Sequence, residues 1–252
     1  VKLLGQALSG VEGLQLAGFE AGTAHNVIPR EGSASFACTP QAAGTLAGRL
    51  EALRQAALNY LPASDHQLEF SLEPVAVERA LSPQDSRLVL DALAAFPHGV
   101  QAYSLALGSE LVDLSVNLAV ARLQDGEFFL ETSYRFFDEQ QSRPLQESIM
   151  ALARLFRLEV TPVVGYPGWQ PDPDSRLLAT GKALHERLFG VTPAVKAIHA
   201  GLECGILKGK LPTLDILSFG PTIRGAHSPA ERLQIDTVTP FWQFLKALLL
   251  EI

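Results

Sequence analysis

The sequence predicts an α+β domain, an antiparallel sheet carrying helices on one face, followed by part of an α/β layout. Three observations predict it. Apolar residues switch between a two-residue and a helical rhythm along the first two-thirds of the chain. Two alternating segments there are separated by Asp125-Gly126, a two-residue turn signal. Finally, a dense Pro and Gly cluster from Gly165 to Asp174 precedes a stretch in which helical and strand patterns alternate.

Each element follows from local chemistry. Leu14 to Ala17 and Ser33 to Cys38 are short runs bounded by Gly and Pro, which favours strands. Gln41 to Tyr60 repeats apolar residues through Leu46, Leu50, Leu53 and Ala57 before Pro62, which predicts an amphipathic helix. Ser82 before Pro83 supplies a cap and a first-turn proline for a helix over Asp85 to Phe96, and His98-Gly99 then turns the chain. In Glu110 to Arg122 the series Asp113, Ser115, Asn117 alternates with Leu114, Val116, Leu118, and with Glu127 to Phe137 it predicts a long hairpin. Gln140 to Phe156 returns to helical spacing, and Leu158 to Val164 is β-branched enough to predict a strand. Beyond the Pro and Gly cluster, helices are expected at Ser175 to Phe189, Leu202 to Leu207 and Thr239 to Leu250, with strands at Ala194 to Ile198 and Asp215 to Phe219. The domain boundary is placed at the cluster, giving 1–167 and 168–252. The second part is too short for an ordinary α/β domain, so its remaining strands are expected upstream of Val1.

Composition excludes several classes. With 47% hydrophobic residues in 252, the chain can bury a substantial core. A net charge of -7 with scattered Lys and Arg offers no basic stripe, so no nucleic-acid partner is expected. Apolar runs such as Phe244 to Ile252 are interrupted by Lys and Glu and fall short of the roughly 20 residues that span a bilayer, so a soluble chain without a membrane partner is expected. Cys38 and Cys204 make no disulfide framework, which fits a reducing cytoplasm. No secretion signal is legible at Val1, and the single Met is Met150, which suggests a piece of something longer.

No self-contained catalytic signature occurs, such as H-E-x-x-H, G-x-S-x-G or a phosphate-binding glycine loop. Four places carry polar chemistry instead. In Gly220 to Pro229, after an expected strand, His227 can offer an imidazole to a metal or cap the following helix. In Ile198 to Gly205, Gly201 permits close approach at a helix start, and His199 lies four residues from Glu203 and five from Cys204. That spacing allows a shared metal or a Cys-His dyad, although residue chemistry alone favours a structural helix start with a buried Cys. Arg135, between Tyr134 and Phe136, has a planar fork suited to a carboxylate, supplied either by a ligand or by Glu131 or Asp138. Asn26, in Gly22 to Glu31, can bond a substrate amide or build a turn.

Taken together, the Asn26-Val27-Ile28-Pro29-Arg30-Glu31 segment, Gly165-Tyr166-Pro167-Gly168-Trp169-Gln170-Pro171, His199-Ala200-Gly201-Leu202-Glu203-Cys204-Gly205, and Ser218 to Ile223 ending in His227-Ser228-Pro229 resemble the aminoacyl-histidine dipeptidases, carnosinase-like zinc metallopeptidases. The resemblance is nearly continuous from Val160 to Ile252 and patchier before it. It implies a catalytic domain with two zinc ions and an inserted lid over the dipeptide. It further implies that 1–167 is the lid domain, missing its first strand, and 168–252 the C-terminal portion of the catalytic domain. By the same resemblance His227 is a metal ligand, and Asn26, Arg135 and Gly201 hold substrate, with metal-activated water cleaving unblocked dipeptides such as β-alanyl-histidine.

The chain departs from that pattern. None of its six His is followed two residues later by Asp, and the bridging Asp, the paired Glu-Glu that includes the general base, and the lid's Gly-His-Ser-Gly have no counterpart. Because a zinc site usually takes at least three protein ligands, the isolated chain is expected to be inactive, with no catalytic residue of its own and with the missing N-terminal half as a partner. Two other functions are consistent with the residues: a related N-acyl amidohydrolase, and a non-catalytic interaction module or homodimer that pairs through a sheet edge.

Overall fold

The computed structural model describes residues 1–104, 111–163, 165, 168–169, 172, 174–196, 203–226 and 230–252. It divides into two compact units. The first holds Val1–Ala102, Leu114–Tyr134 and Ser142–Pro162, and the second holds Tyr103–Asp113, Arg135–Gln141 and Val163–Ile252.

The first unit is built on a mixed α+β plan with an antiparallel sheet. Helix α1 (Lys2–Leu8) leads into strands β1 (Gln15–Ala21) and β2 (Gly32–Ala37), and these are followed by helices α2 (Pro40–Leu58) and α3 (Pro83–Ala95). Strands β3 (Gly99–Tyr103), β4 (Val112–Gln124) and β5 (Glu127–Phe136) and helix α4 (Glu139–Leu155) complete it, β3 to α4 contributing residues to both units. The strand order is β2-β1-β4-β3, with β5 also on β4. The β4–β5 turn forms as its sequence predicts, with Asp125 and Gly126 both at positive φ (53° and 83°). Helix α3 likewise starts where expected, Ser82 Oγ accepting the Asp85 N–H at 3.1 Å.

Burial follows the alternation read in β4: Leu114, Val116 and Leu118 are buried, while Asp113, Ser115 and Asn117 between them remain partly open. Leu16, Phe19 and Ala21 of β1 pack with Leu46 of α2 and Val89, Leu90 and Leu93 of α3. A second cluster joins Ala92, Phe96, Leu118 and Ala153, with Phe156 6.3 Å from Phe96 between ring centroids. One buried polar group is built into this core. Ser86, fully buried on α3, accepts the Leu16 N–H at 2.8 Å, and the Leu16 carbonyl accepts from Leu81 N–H at 2.7 Å. Both main-chain groups of Leu16 are thus satisfied without β4, whose ladder with β1 runs over Phe19 to Ala21.

Two features of the first unit are not written in apolar periodicity. The Lys2 ammonium donates to the carbonyls of Leu93 (2.8 Å), Ala94 (2.7 Å) and Phe96, so α1 supplies a cation to the C-terminal end of α3, where partial negative charge gathers. His98 Nδ1 accepts the Leu118 N–H at 3.1 Å, which requires the tautomer protonated on Nε2. Rather than only turning the chain, His98-Gly99 leads directly into β3.

The expected strand Leu158 to Val164 does not form over its described residues. Helix α4 ends with Arg157 at φ 56°, its N–H on the Arg154 carbonyl (3.2 Å), and with Leu158 N–H on the Ala153 carbonyl (2.8 Å). That left-handed stop turns Leu158 back onto the second core cluster, and the β-branched residues beyond it have no ladder to join.

The second unit contains α5 (Arg176–Phe189), α6 (Glu203–Lys210), α7 (Val238–Leu249) and a two-stranded antiparallel ribbon, β6 (Ile223–Arg224) with β7 (Arg232–Leu233). Its core is Leu184, Phe244 and Leu248, with Leu177, Phe189 and Leu217 packed against them. Gly181 on α5 sits where a Cβ would lie 2.9 Å from Leu217 Cδ2. Of the strands expected here, Asp215 to Phe219 is irregular, and so are 194–196. Ala197 and Ile198 lie outside the described residues. The alternating α/β sheet is therefore not seen in the second unit: β propensity yields a strand only beside another strand, and none flanks these segments among the described residues.

Candidate functional site

The segment around Asn26 belongs to the first unit. Gly22 opens it at φ 83°, and a Cβ there would fall 1.8 Å from the Ala119 carbonyl oxygen, so only glycine lets the chain leave β1 along β4. A turn closes with Val27 N–H on the Ala24 carbonyl at 3.2 Å. Two side chains on neighbouring strands hold this turn. Asn117 Nδ2 donates to the carbonyls of Val27 (2.9 Å) and His25 (3.4 Å), and Ser133 Oγ donates to His25 at 2.7 Å. The Asn26 side chain is left exposed on a turn fixed from both sides. Asn117 Oδ1 is a buried acceptor with no partner among the described residues. Neither Asn117 nor Ser133 stood out by type, but both lie on the alternating polar positions of β4 and β5, the signal that would have found them.

Arg135 belongs to the second unit and is exposed one residue before the end of β5. Just beyond it, Phe137 N–H meets Asp113 Oδ1 at 3.4 Å, and the Gln141 amide, with its nitrogen turned inward, donates to both Asp113 oxygens at 3.0 and 3.1 Å. Gly168 lies against this chain segment, where a Cβ would be 2.3 Å from the Phe137 carbonyl oxygen.

The N-terminus of α5 is held by two oxygens. Ser175, its cap, accepts Leu178 N–H at 2.9 Å and donates to Asp215 Oδ1 at 2.5 Å, while Asp215 Oδ2 accepts Leu177 N–H at 2.9 Å. These bonds, the Ser175 hydroxyl first and the Leu177 amide next, hold the Asp215 carboxyl below its ordinary pKa. Toward the other end of α5, His185 Nδ1 donates to the Val191 carbonyl at 2.8 Å, and its ring meets Phe189 and Phe244 at 4.8 and 5.7 Å between centroids.

Gly201 and His227, with His199 of the alternative dyad, lie outside the described residues. Among the described residues no group of three His, Cys, Asp or Glu side chains is placed to hold a metal ion. The described donors therefore do not fit zinc, which takes at least three ligands. No helix of the described residues is long and apolar enough to cross a membrane.

No family model matches the chain. It is similar to the cytosol non-specific dipeptidase of Escherichia coli (strain K12), with 32% identity over 240 residues, covering 95% of this chain and 49% of that protein. It is also similar to the crystal structure of aminoacylhistidine dipeptidase from Vibrio alginolyticus, with a TM-score of 0.83 at 30% identity, over 100% of this chain and 52% of that one. The chain thus spans about half the length of each. A match in both sequence and backbone along nearly the whole chain makes it a homologue of about half of the cytosol non-specific and aminoacylhistidine dipeptidases.

Proposed function

We propose that this chain is part of a cytosolic zinc dipeptidase hydrolysing unblocked dipeptides, Xaa-His substrates such as β-alanyl-histidine among them, with residues 1–167 as the lid and 168–252 as the C-terminal portion of the catalytic domain. The observation that carries the reading is the backbone match to aminoacylhistidine dipeptidase along the entire chain. The name of the E. coli relative, a non-specific dipeptidase, argues against a strict requirement for histidine at the C-terminal side of the substrate.

In this reading the chain contributes substrate-holding groups and one ligand, His227. Arg135, exposed at the end of β5, meets the dipeptide's free carboxylate with its fork, a geometry that a lysine does not reproduce. Asn26, on its tethered turn, bonds the peptide amide, and the backbone at Gly201 does the same from the catalytic side. The remaining ligands and the general base come from the other half of the enzyme, and no step through zinc follows from the residues of this chain alone.

The reading is tested on the chain assembled with that half. Arg135→Lys should raise KM for β-alanyl-histidine by roughly 10- to 100-fold, as expected for loss of a bidentate charged contact of about 1.5–3 kcal/mol, and leave the C-terminally amidated dipeptide unchanged. Equal effects on both substrates would remove Arg135 from the carboxylate.

A further inference from the structure

We propose that Asn117 and Ser133 are positioning residues of the dipeptide site: they act through Asn26, whose main chain they hold in place for the substrate. The inference rests on the reading above that Asn26 bonds the substrate's peptide amide. All three residues belong to the first unit. An exposed asparagine on a connection between strands has backbone as well as side-chain freedom, and ordering both when substrate arrives would oppose binding. Here the backbone part is removed in advance. Asn117 Nδ2 reaches the carbonyls of the two residues that flank Asn26, Val27 at 2.9 Å and His25 at 3.4 Å, and Ser133 Oγ donates to the same His25 carbonyl at 2.7 Å. One amide group therefore straddles Asn26, leaving it chiefly the torsions of its own exposed side chain. The base of the segment is closed as well: a Cβ at Gly22 would lie 1.8 Å from the Ala119 carbonyl oxygen and 3.0 Å from Pro29 Cγ, so its entry and exit sit against each other.

A second observation separates positioning from support of the fold. Asn117 Oδ1 is buried and has no partner among the described residues. A stranded acceptor costs free energy, so this amide is a poor stabiliser of the sheet. Truncation to alanine removes the stranded oxygen together with the two donor contacts, and the carbonyls released on an exposed turn pair with water. The two roles thus predict different outcomes. A residue that serves stability loses it on truncation. A residue that serves Asn26 leaves the urea midpoint nearly where it was and costs the precision with which one substrate-facing group is held, to which rate is sensitive.

The test has two arms. On the chain itself, the NMR order parameter of the Asn26 backbone amide should be about 0.85 in wild type and fall below about 0.6 in Asn117→Ala with Ser133→Ala. A mobile Asn26 in wild type, or an unchanged value in the variant, overturns the proposal. On the chain assembled with the half of the E. coli relative that it does not match, a double-mutant cycle reads kcat/KM for β-alanyl-histidine. Asn117→Ala should lower it roughly tenfold when Asn26 is present and by less than about twofold in the Asn26→Ala background, with the urea midpoint nearly constant. Equal losses in both backgrounds, or a loss that follows the urea midpoint, overturn the proposal in favour of a structural role. Asn26→Ala that leaves hydrolysis intact removes Asn26 from the substrate and overturns the proposal with it, whereas an assembled wild type that binds zinc without cleaving the dipeptide defeats the dipeptidase reading, whatever the order parameters show.

Discussion

Ser175 Oγ donates to Asp215 Oδ1 at 2.5 Å, tying the first turn of α5 to a segment forty residues later in the chain. Both side chains also cap the helix, Ser175 Oγ accepting from Leu178 N–H and Asp215 Oδ2 from Leu177 N–H. Ser175→Ala should therefore lower stability by about 1 kcal/mol in urea unfolding at neutral pH, the usual loss for a helix cap. The Asp215 carboxyl is held below its ordinary value of 3.8 by these donors. A depressed acid contributes stability above that value and loses it as pH falls through the folded one, so the difference between wild type and Asp215→Asn should be constant from pH 5 upward and shrink below about pH 4. A difference that persists at pH 3 would show that the carboxylate charge is not what the cap uses.

His98 sets a second, higher window. Much of its ring meets solvent, yet its Nδ1 edge is turned onto the Leu118 amide. Burial of that edge, then the ammonium groups of Val1 and Lys2, push its pKa below 6.5. Protonation removes the acceptor, so the contribution is complete above pH 6.5 and lost as pH falls through the folded value. Urea midpoints between pH 7.5 and 5 should fall less in His98→Gln than in wild type; parallel curves would contradict this.

Gly22→Ala should be among the more damaging single-methyl changes in the chain. The added Cβ meets a backbone carbonyl at 1.8 Å and the backbone is already at positive φ, so a loss of at least about 2 kcal/mol in thermal or urea unfolding is expected. Gly44→Ala, where nothing lies within 4 Å on a helix surface, should be neutral or slightly stabilising and serves as the control.

The Asn26 turn is held by side chains rather than by a ladder, which makes its order removable without unfolding the sheet. In Asn117→Ala with Ser133→Ala, amide exchange at Val27 should accelerate by roughly tenfold or more, equivalent to about 1.4 kcal/mol of lost tethering, while Leu16 and Leu118 amides in the sheet keep their protection. Uniform acceleration at all three would mean that the pair supports the sheet as a whole.

The sequence carried the first unit well because its signals are local. Ser82 with Pro83, Asp125 with Gly126, and the Asp113 to Leu118 alternation each specify their own geometry within a few residues, and all three form. Helix α1 escaped because it is only seven residues long, and much of its hold comes from Lys2 reaching carbonyls more than ninety residues away, a relation no short window contains. Strand β3 was hidden by His98-Gly99, whose turn chemistry is equally compatible with a strand start. Strands expected at 158–164, 194–198 and 215–219 failed over their described residues for the opposite reason: residue type is local, but a strand needs a partner. For the site, residue chemistry alone marked Asn26 and Arg135 as candidates but not the groups that hold the Asn26 turn, since Asn117 and Ser133 act through main-chain carbonyls rather than through any motif.

This chain is expected to act only together with the half of its relatives that it does not match. The most direct measurement is β-alanyl-histidine hydrolysis with added zinc, by the purified chain and by the chain co-expressed with the unmatched half of its E. coli relative, with zinc affinity measured by calorimetry on both. The expected result is no turnover and no micromolar zinc binding by the chain alone, and zinc-dependent hydrolysis by the assembled pair. Turnover with micromolar zinc affinity in the isolated chain, or an assembled pair that binds zinc and leaves the dipeptide intact, would contradict it.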